Sequence, residues 1–152
     1  MVKFNPLGFL FLCIIMIPNI IFAIKNKDAF ENSIQKKWFK ILEVFEQVGR
    51  YGCFFCMMFN ISGTCFGFSS NFSFRICLVI NGILILNYCL IWITHFRKNN
   101  LFRGIFLSVI PSIIFLFNGV MSKSILLIIF AIIFAPCHIA ISIMNTKKKS
   151  CA

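Results

Sequence analysis

Charge is what this sequence has least of. Of its 152 residues, 12% are Asp, Glu, Lys or Arg, and only four of these are acidic. A water-soluble domain carries about 25% charged residues, because its outer surface has to be hydrated. The deficit excludes an ordinary soluble fold, since most of the surface must face something other than water. Tyrosine and tryptophan are also scarce, two of each beside 21 Phe. That balance suits contact with lipid, and the Phe, Ile, Asn and Lys bias is also what an AT-rich genome favours.

A second Cys-x-x-Cys is missing. Cys53 and Cys56 form the one such motif, and a tetrahedral metal site needs two further ligands nearby, such as His95 or other cysteines. No metal and no cofactor are expected. The eight cysteines do not make a secreted disulfide scaffold either, because most lie in long apolar runs, where cysteine behaves as a small hydrophobe. Cys65 and Cys77 flank the short loop SSNFSF and would pair only if that loop is extracytoplasmic and the geometry permits.

The charges present are lopsided, with a net +11. No module for reading nucleic acid accompanies them, and the Lys and Arg cluster beside apolar segments, as they do where a membrane protein meets anionic lipid. No nucleic-acid partner is expected.

Apolar runs are abundant. A bilayer core about 30 Å thick needs ~20 apolar helical residues, and five segments have that length: 7–24, 48–68, 76–94, 104–121 and 125–144. Continuous runs, in a solvent that tolerates no unpaired backbone, specify helices rather than strands. Five crossings put Lys25, Lys27, Lys36, Lys37, Lys40, Arg97, Lys98, Arg103, Lys147, Lys148 and Lys149 on one side, and only Lys3, Arg75 and Lys123 on the other. Basic excess marks the cytoplasmic side, so the N-terminus is expected outside and the C-terminus inside, with localisation in a cell membrane, bacterial plasma membrane by composition. A cleaved signal peptide is disfavoured for residues 7–24, because the apolar run is long and its basic flank follows it.

The fold class predicted is therefore all-α: one polytopic domain over 1–152, a bundle of five transmembrane helices with an interfacial amphipathic helix before the second span. That amphipathic segment, 25–47, places Ile34, Trp38, Ile41, Leu42 and Phe45 on one face and Lys36, Lys40, Glu43 and Gln47 on another. Glu46 and Arg50 stand four apart and are expected to form an interfacial ion pair. Short loops predict that consecutive spans pack as antiparallel neighbours.

At 100° per residue the second span aligns Glu46, Gly49, Cys53, Cys56, Asn60, Gly63 and Gly67. Small residues let helices approach closely, and Asn bonds across the contact; this packing reading is preferred for the cysteines. The rival is thiol chemistry, because Cys-x-x-Cys lowers a thiol pKa where water reaches it. Small membrane thiol oxidases share the motif and the size, but theirs works toward the extracytoplasmic side, whereas this one follows Arg50 near the expected cytoplasmic face. The third span aligns Asn81, Tyr88, Trp92 and His95, and the fourth gathers Ser108, Pro111, Ser112, Asn118 and Gly119. The fifth aligns Ser124, Ala131, Ala135, His138 and Ser142. Asn60, Asn81, Asn118 and His138 are candidates for a ligand site or polar cavity, since ionisable and polar groups inside a membrane are expensive unless they serve one. The competing reading is helix-to-helix bonding, with His138 satisfied by Asn60, Asn118 or a backbone carbonyl.

No set of nucleophile, base and oxyanion donors can be assembled from these spacings. A non-catalytic membrane protein that binds a partner, lipid or small ligand is expected first, in the general manner of small accessory or immunity-type proteins, with which it shares no motif. Its partners would be the bilayer, anionic lipid on the cytoplasmic side, and a protein or a second copy of itself. The alternatives are a transporter or channel subunit with polar residues lining a path, and a membrane thiol–disulfide or group-transfer enzyme using Cys53 and Cys56 or His138.

Overall fold

The computed structural model describes residues 2–25, 37–94 and 101–150, and is helical over most of that length. Among the described residues five helices run in the order α1 (Pro6–Lys25), α2 (Lys37–Met58), α3 (Asn71–Thr94), α4 (Leu101–Met121) and α5 (Ile125–Ser150), with two short strands, β1 (Val2–Phe4) and β2 (Phe59–Ile61). Three stretches among the described residues are long and apolar enough to cross a membrane: Asn71–Thr94, Gly104–Met121 and Ile125–Asn145.

Local chemistry sets the helix ends. Asn5 caps α1 by accepting from the Gly8 N–H at 3.2 Å, with Pro6 at the first helical position, where its missing donor costs nothing. Ser70 caps α3 the same way, taking the Ser73 N–H at 3.1 Å. Between α4 and α5 the chain closes in a Schellman turn: Ser124 N–H donates to Gly119 O at 2.9 Å and Lys123 N–H to Val120 O at 3.2 Å, with Lys123 left-handed at φ 51°.

The largest departure from the sequence reading is the second span. Hydropathy ran unbroken over 48–68, but the helix stops at Met58, and Phe59–Ile61 instead pairs antiparallel with Val2–Phe4. Beyond it Gly63 and Gly67 turn the chain at φ 96° and 77°, conformations open to glycine and closed to a helix. The helix is extended at its other end: residues 37–47, expected to lie in the interface, are the first half of α2. The rest of that amphipathic segment, residues 26–36, lies outside the described residues, as does His95.

The helices close into a ring. α1 touches α2 and α3, α2 touches α5, α5 touches α4, and α4 touches α3. Consecutive helices are therefore neighbours except for α2 and α3, which the 59–70 connection carries apart; α2 packs on α5 instead. Gly49 faces Phe134 and Gly52 faces Phe130, so these two helices are antiparallel. Gly49 and Gly52 let them approach until a β-carbon would not fit. Leu12, Ile15, Cys53, Met57, Tyr88, Ile114, Phe115, Leu127 and Phe134 fill the middle. Leu86, Ile93, Ile132 and many other large apolar side chains point outward.

Between α3 and α4 two amides bond reciprocally. Asn118 Nδ2 donates to Asn81 Oδ1 at 2.8 Å and Asn81 Nδ2 to Asn118 Oδ1 at 3.1 Å, while Asn81 also donates to Cys77 O at 2.7 Å. Asn81 is fully buried. Changing either Asn to Leu deprives its partner's buried amide oxygen of the other amide's N–H and is expected to cost about 1–2 kcal/mol; changing both should recover part of that. Denaturant titration of the three variants in mixed micelles checks it, and additive losses would mean that the two amides act separately. Asn87, which faces away from this pair, donates to Ile83 O within its own helix at 2.9 Å and is exposed.

Candidate functional site

The polar centre of the bundle lies where α2 meets α5. Glu46 is 3% exposed and its carboxylate accepts from two directions. Arg50, one turn along α2, donates through Nη2, and His138 of α5 donates from Nδ1 at 3.0 Å. Helical spacing supplies the first contact and tertiary packing the second. Glu46 lies twelve residues from the end of α2 and His138 thirteen from the start of α5, a depth of roughly 18–20 Å from that end of the bundle. Of the expected ion pair, Glu46 is buried at the helix–helix contact while Arg50 keeps 32% of its side chain exposed. The partner of His138 is Glu46, not Asn60, Asn118 or a carbonyl.

An aromatic row leads away from this centre. The His138 ring stacks on Phe134 with centroids 4.6 Å apart and planes 20° from parallel. Phe134 meets Phe115 edge-on at 5.5 Å, and Phe115 meets Phe54 at 5.9 Å. Beside the row is a cleft of about 160 Å³, open on one side. Ile15, Met16 and Ile20 of α1 and Pro111 of α4 complete its apolar walls; Arg50 and His138 are its polar members. Three of Arg50's features matter here: it lines the cleft, it is a third exposed, and one of its nitrogens is engaged by Glu46.

The other candidates are elsewhere. Asn60 sits on β2 opposite Lys3, at the far end of the bundle. Asn81 and Asn118 satisfy each other, with Cys77 Sγ 3.3 Å from Asn118 Oδ1. Cys65 donates toward Ser122 O at 3.6 Å, and both Cys65 and Cys77 are free thiols. Cys53 and Cys56 are free and buried, 0% and 5% exposed, within the core cluster. Among the described residues, no group of three or more His, Cys, Asp or Glu is placed to hold a metal.

A buried thiol reacts slowly, because its thiolate is poorly solvated and reagent cannot reach it. In the native protein N-ethylmaleimide is expected to modify Cys65 while sparing Cys53 and Cys56, which label only after denaturation; peptide mass spectrometry reads the pattern. Rapid native labelling of Cys53 would overturn the packing role given to it.

What the sequence reading missed was the join between Glu46 and His138. The signal was present as two unusual ionisable residues in apolar surroundings, but a separation of 92 positions hides it. Comparison of the chain with protein-family models, with curated proteins and with solved structures finds no match.

Proposed function

We propose that this chain is an integral membrane protein whose five helices cross the bilayer, and that its role is non-catalytic: it binds a lipophilic small molecule or lipid in the cleft beside Arg50 and His138. The N-terminus is outside, the C-terminus cytoplasmic, and the basic side meets anionic lipid of a cell membrane. The support for crossing is the outward apolar surface together with charge sorting. β1, the 59–70 connection and the α4–α5 turn share one end of the ring, and this end has just Lys3, Arg75 and Lys123. α2 crosses despite its charges because Glu46, buried against α5, and Arg50 neutralise each other while Lys37, Lys40 and Glu43 stand in its cytoplasmic third.

The observation that carries the binding role is the cleft, apolar on most sides with two polar groups at one edge, as ligand sites commonly are. Native mass spectrometry of the protein released from its own membrane should reveal a retained lipophile. Met16→Trp, which fills the cleft, should lose it. Equal retention by both, or none by either, would overturn the binding role.

A second reading, transport, is favoured by one specific observation, the carboxylate–imidazole contact between Glu46 and His138, since such pairs carry protons in membranes. Proteoliposomes decide between them. Binding alone gives no proton or solute flux above empty vesicles; flux that disappears in His138→Ala would establish transport instead.

A further inference from the structure

The size, walls and charge balance of the cleft together define a class of ligand. A cavity of about 150 Å³ lined by apolar side chains accepts a benzene-sized ring, and this cleft measures about 160 Å³. Phe54, Phe115 and Phe134 form one wall at mutual centroid distances of 5.9 and 5.5 Å, so a flat ring finds faces and edges to stack on. A longer apolar substituent leaves through the open side.

Charge then restricts the head. Glu46 balances Arg50 charge for charge, and with a neutral imidazole the same carboxylate accepts the His138 Nδ1–H without changing that balance. A second anion would add an uncompensated charge to a site of low dielectric, and a cation would face the guanidinium. A neutral oxygen acceptor changes no charge and can take a charge-assisted hydrogen bond from one of the five guanidinium N–H groups. We propose that the cleft takes a neutral lipophile whose single ring bears a carbonyl oxygen, with Arg50 donating to that oxygen and the ring against Phe54, Phe115 and Phe134. This rests on the binding role given above and narrows it.

The test uses the full chain in lipid nanodiscs, with empty discs as the partition background, and fluorine NMR of three matched probes. These are 4-fluoroacetophenone, 1-ethyl-4-fluorobenzene, which lacks the acceptor, and 4-fluorobenzoate, which adds a charge. The ketone should bind at least about tenfold more tightly than the ethyl compound, the value of one hydrogen bond to a charged group, and the benzoate should bind most weakly. Met16→Trp should release the ketone, which fixes its place. The double variant Glu46→Leu/Arg50→Leu, which strands no charge, should hold ketone and ethyl compound equally. Equal affinities in the wild type, a benzoate that binds best, ketone retained by Met16→Trp, or no probe bound above background each overturn the ring-carbonyl assignment. A lipophile still retained in native mass spectrometry would then leave the broader binding role standing, whereas its absence removes both.

Discussion

Glu46→Leu is expected to destabilise the bundle by about 3 kcal/mol, because it strips the partner from a guanidinium held between helices. Losing one member of a buried ion pair typically costs about 3–5 kcal/mol. The lower end applies here because Arg50 keeps 32% of its side chain exposed, against 4% for Glu46. The His138 ring also loses its acceptor. The contrast that isolates the mechanism is Glu46→Leu/Arg50→Leu. Replacing a whole buried pair by apolar groups is often neutral or stabilising, so the double variant should regain most of what the single one lost. Glu46→Gln, which keeps an acceptor without the charge, should fall between. Reversible unfolding in mixed micelles measures all four proteins. A double variant no more stable than Glu46→Leu would show that the carboxylate stabilises through something other than Arg50.

Gly49→Ala should destabilise by about 1–3 kcal/mol, the usual cost of forcing a methyl group into a filled contact. An added β-carbon would stand 2.8 Å from the amide nitrogen and 2.9 Å from the α-carbon of Phe134. Backbone atoms cannot rotate aside as a side chain can, so α2 and α5 have to separate. The same movement pulls Glu46 from His138 and opens the aromatic row, so ligand retention should fall along with stability. Gly82→Ala is the matched control. Gly82 is in the middle of α3 with nothing within 4 Å of an added β-carbon, and alanine is favoured over glycine in a helix by about 1 kcal/mol. The two substitutions should have opposite signs. If Gly49→Ala is as harmless as Gly82→Ala, the close α2–α5 approach is not what holds the ring together.

The candidate residues were legible to different degrees, for reasons that can be named. Glu46 with Arg50 follows from the helical repeat, which fixes neighbours four apart. Asn81 and Asn118 could be picked out one at a time as polar groups in apolar helices, but their reciprocal bond depended on α3 lying beside α4 in one register. Hydropathy carries α2 past its end at Met58 because it does not distinguish an apolar helix from an apolar strand. Asn60, Gly63 and Gly67 marked the break, and they align just as well on a helical stripe. Only the N-terminal strand, by offering β2 a partner for its backbone, decided between the two.

What the sequence determined by itself is composition-driven. Too few charges for a hydrated surface, apolar runs of helical length and basic residues sorted to alternate loops specify helices that present apolar groups outward. Those properties are local or additive, so they survive without knowledge of the fold. Tertiary structure alone decided that α2 pairs with α5 rather than α3, that Glu46 is shared between Arg50 and His138, and that three Phe rings beside them leave a cleft. Each of these depends on which faces meet once the chain has turned back on itself, as it does over the 92 positions that separate Glu46 from His138. Apolar helices of similar hydropathy do not encode that choice in their period; it is made by the small residues, where backbones come close enough for one arrangement to exclude the others.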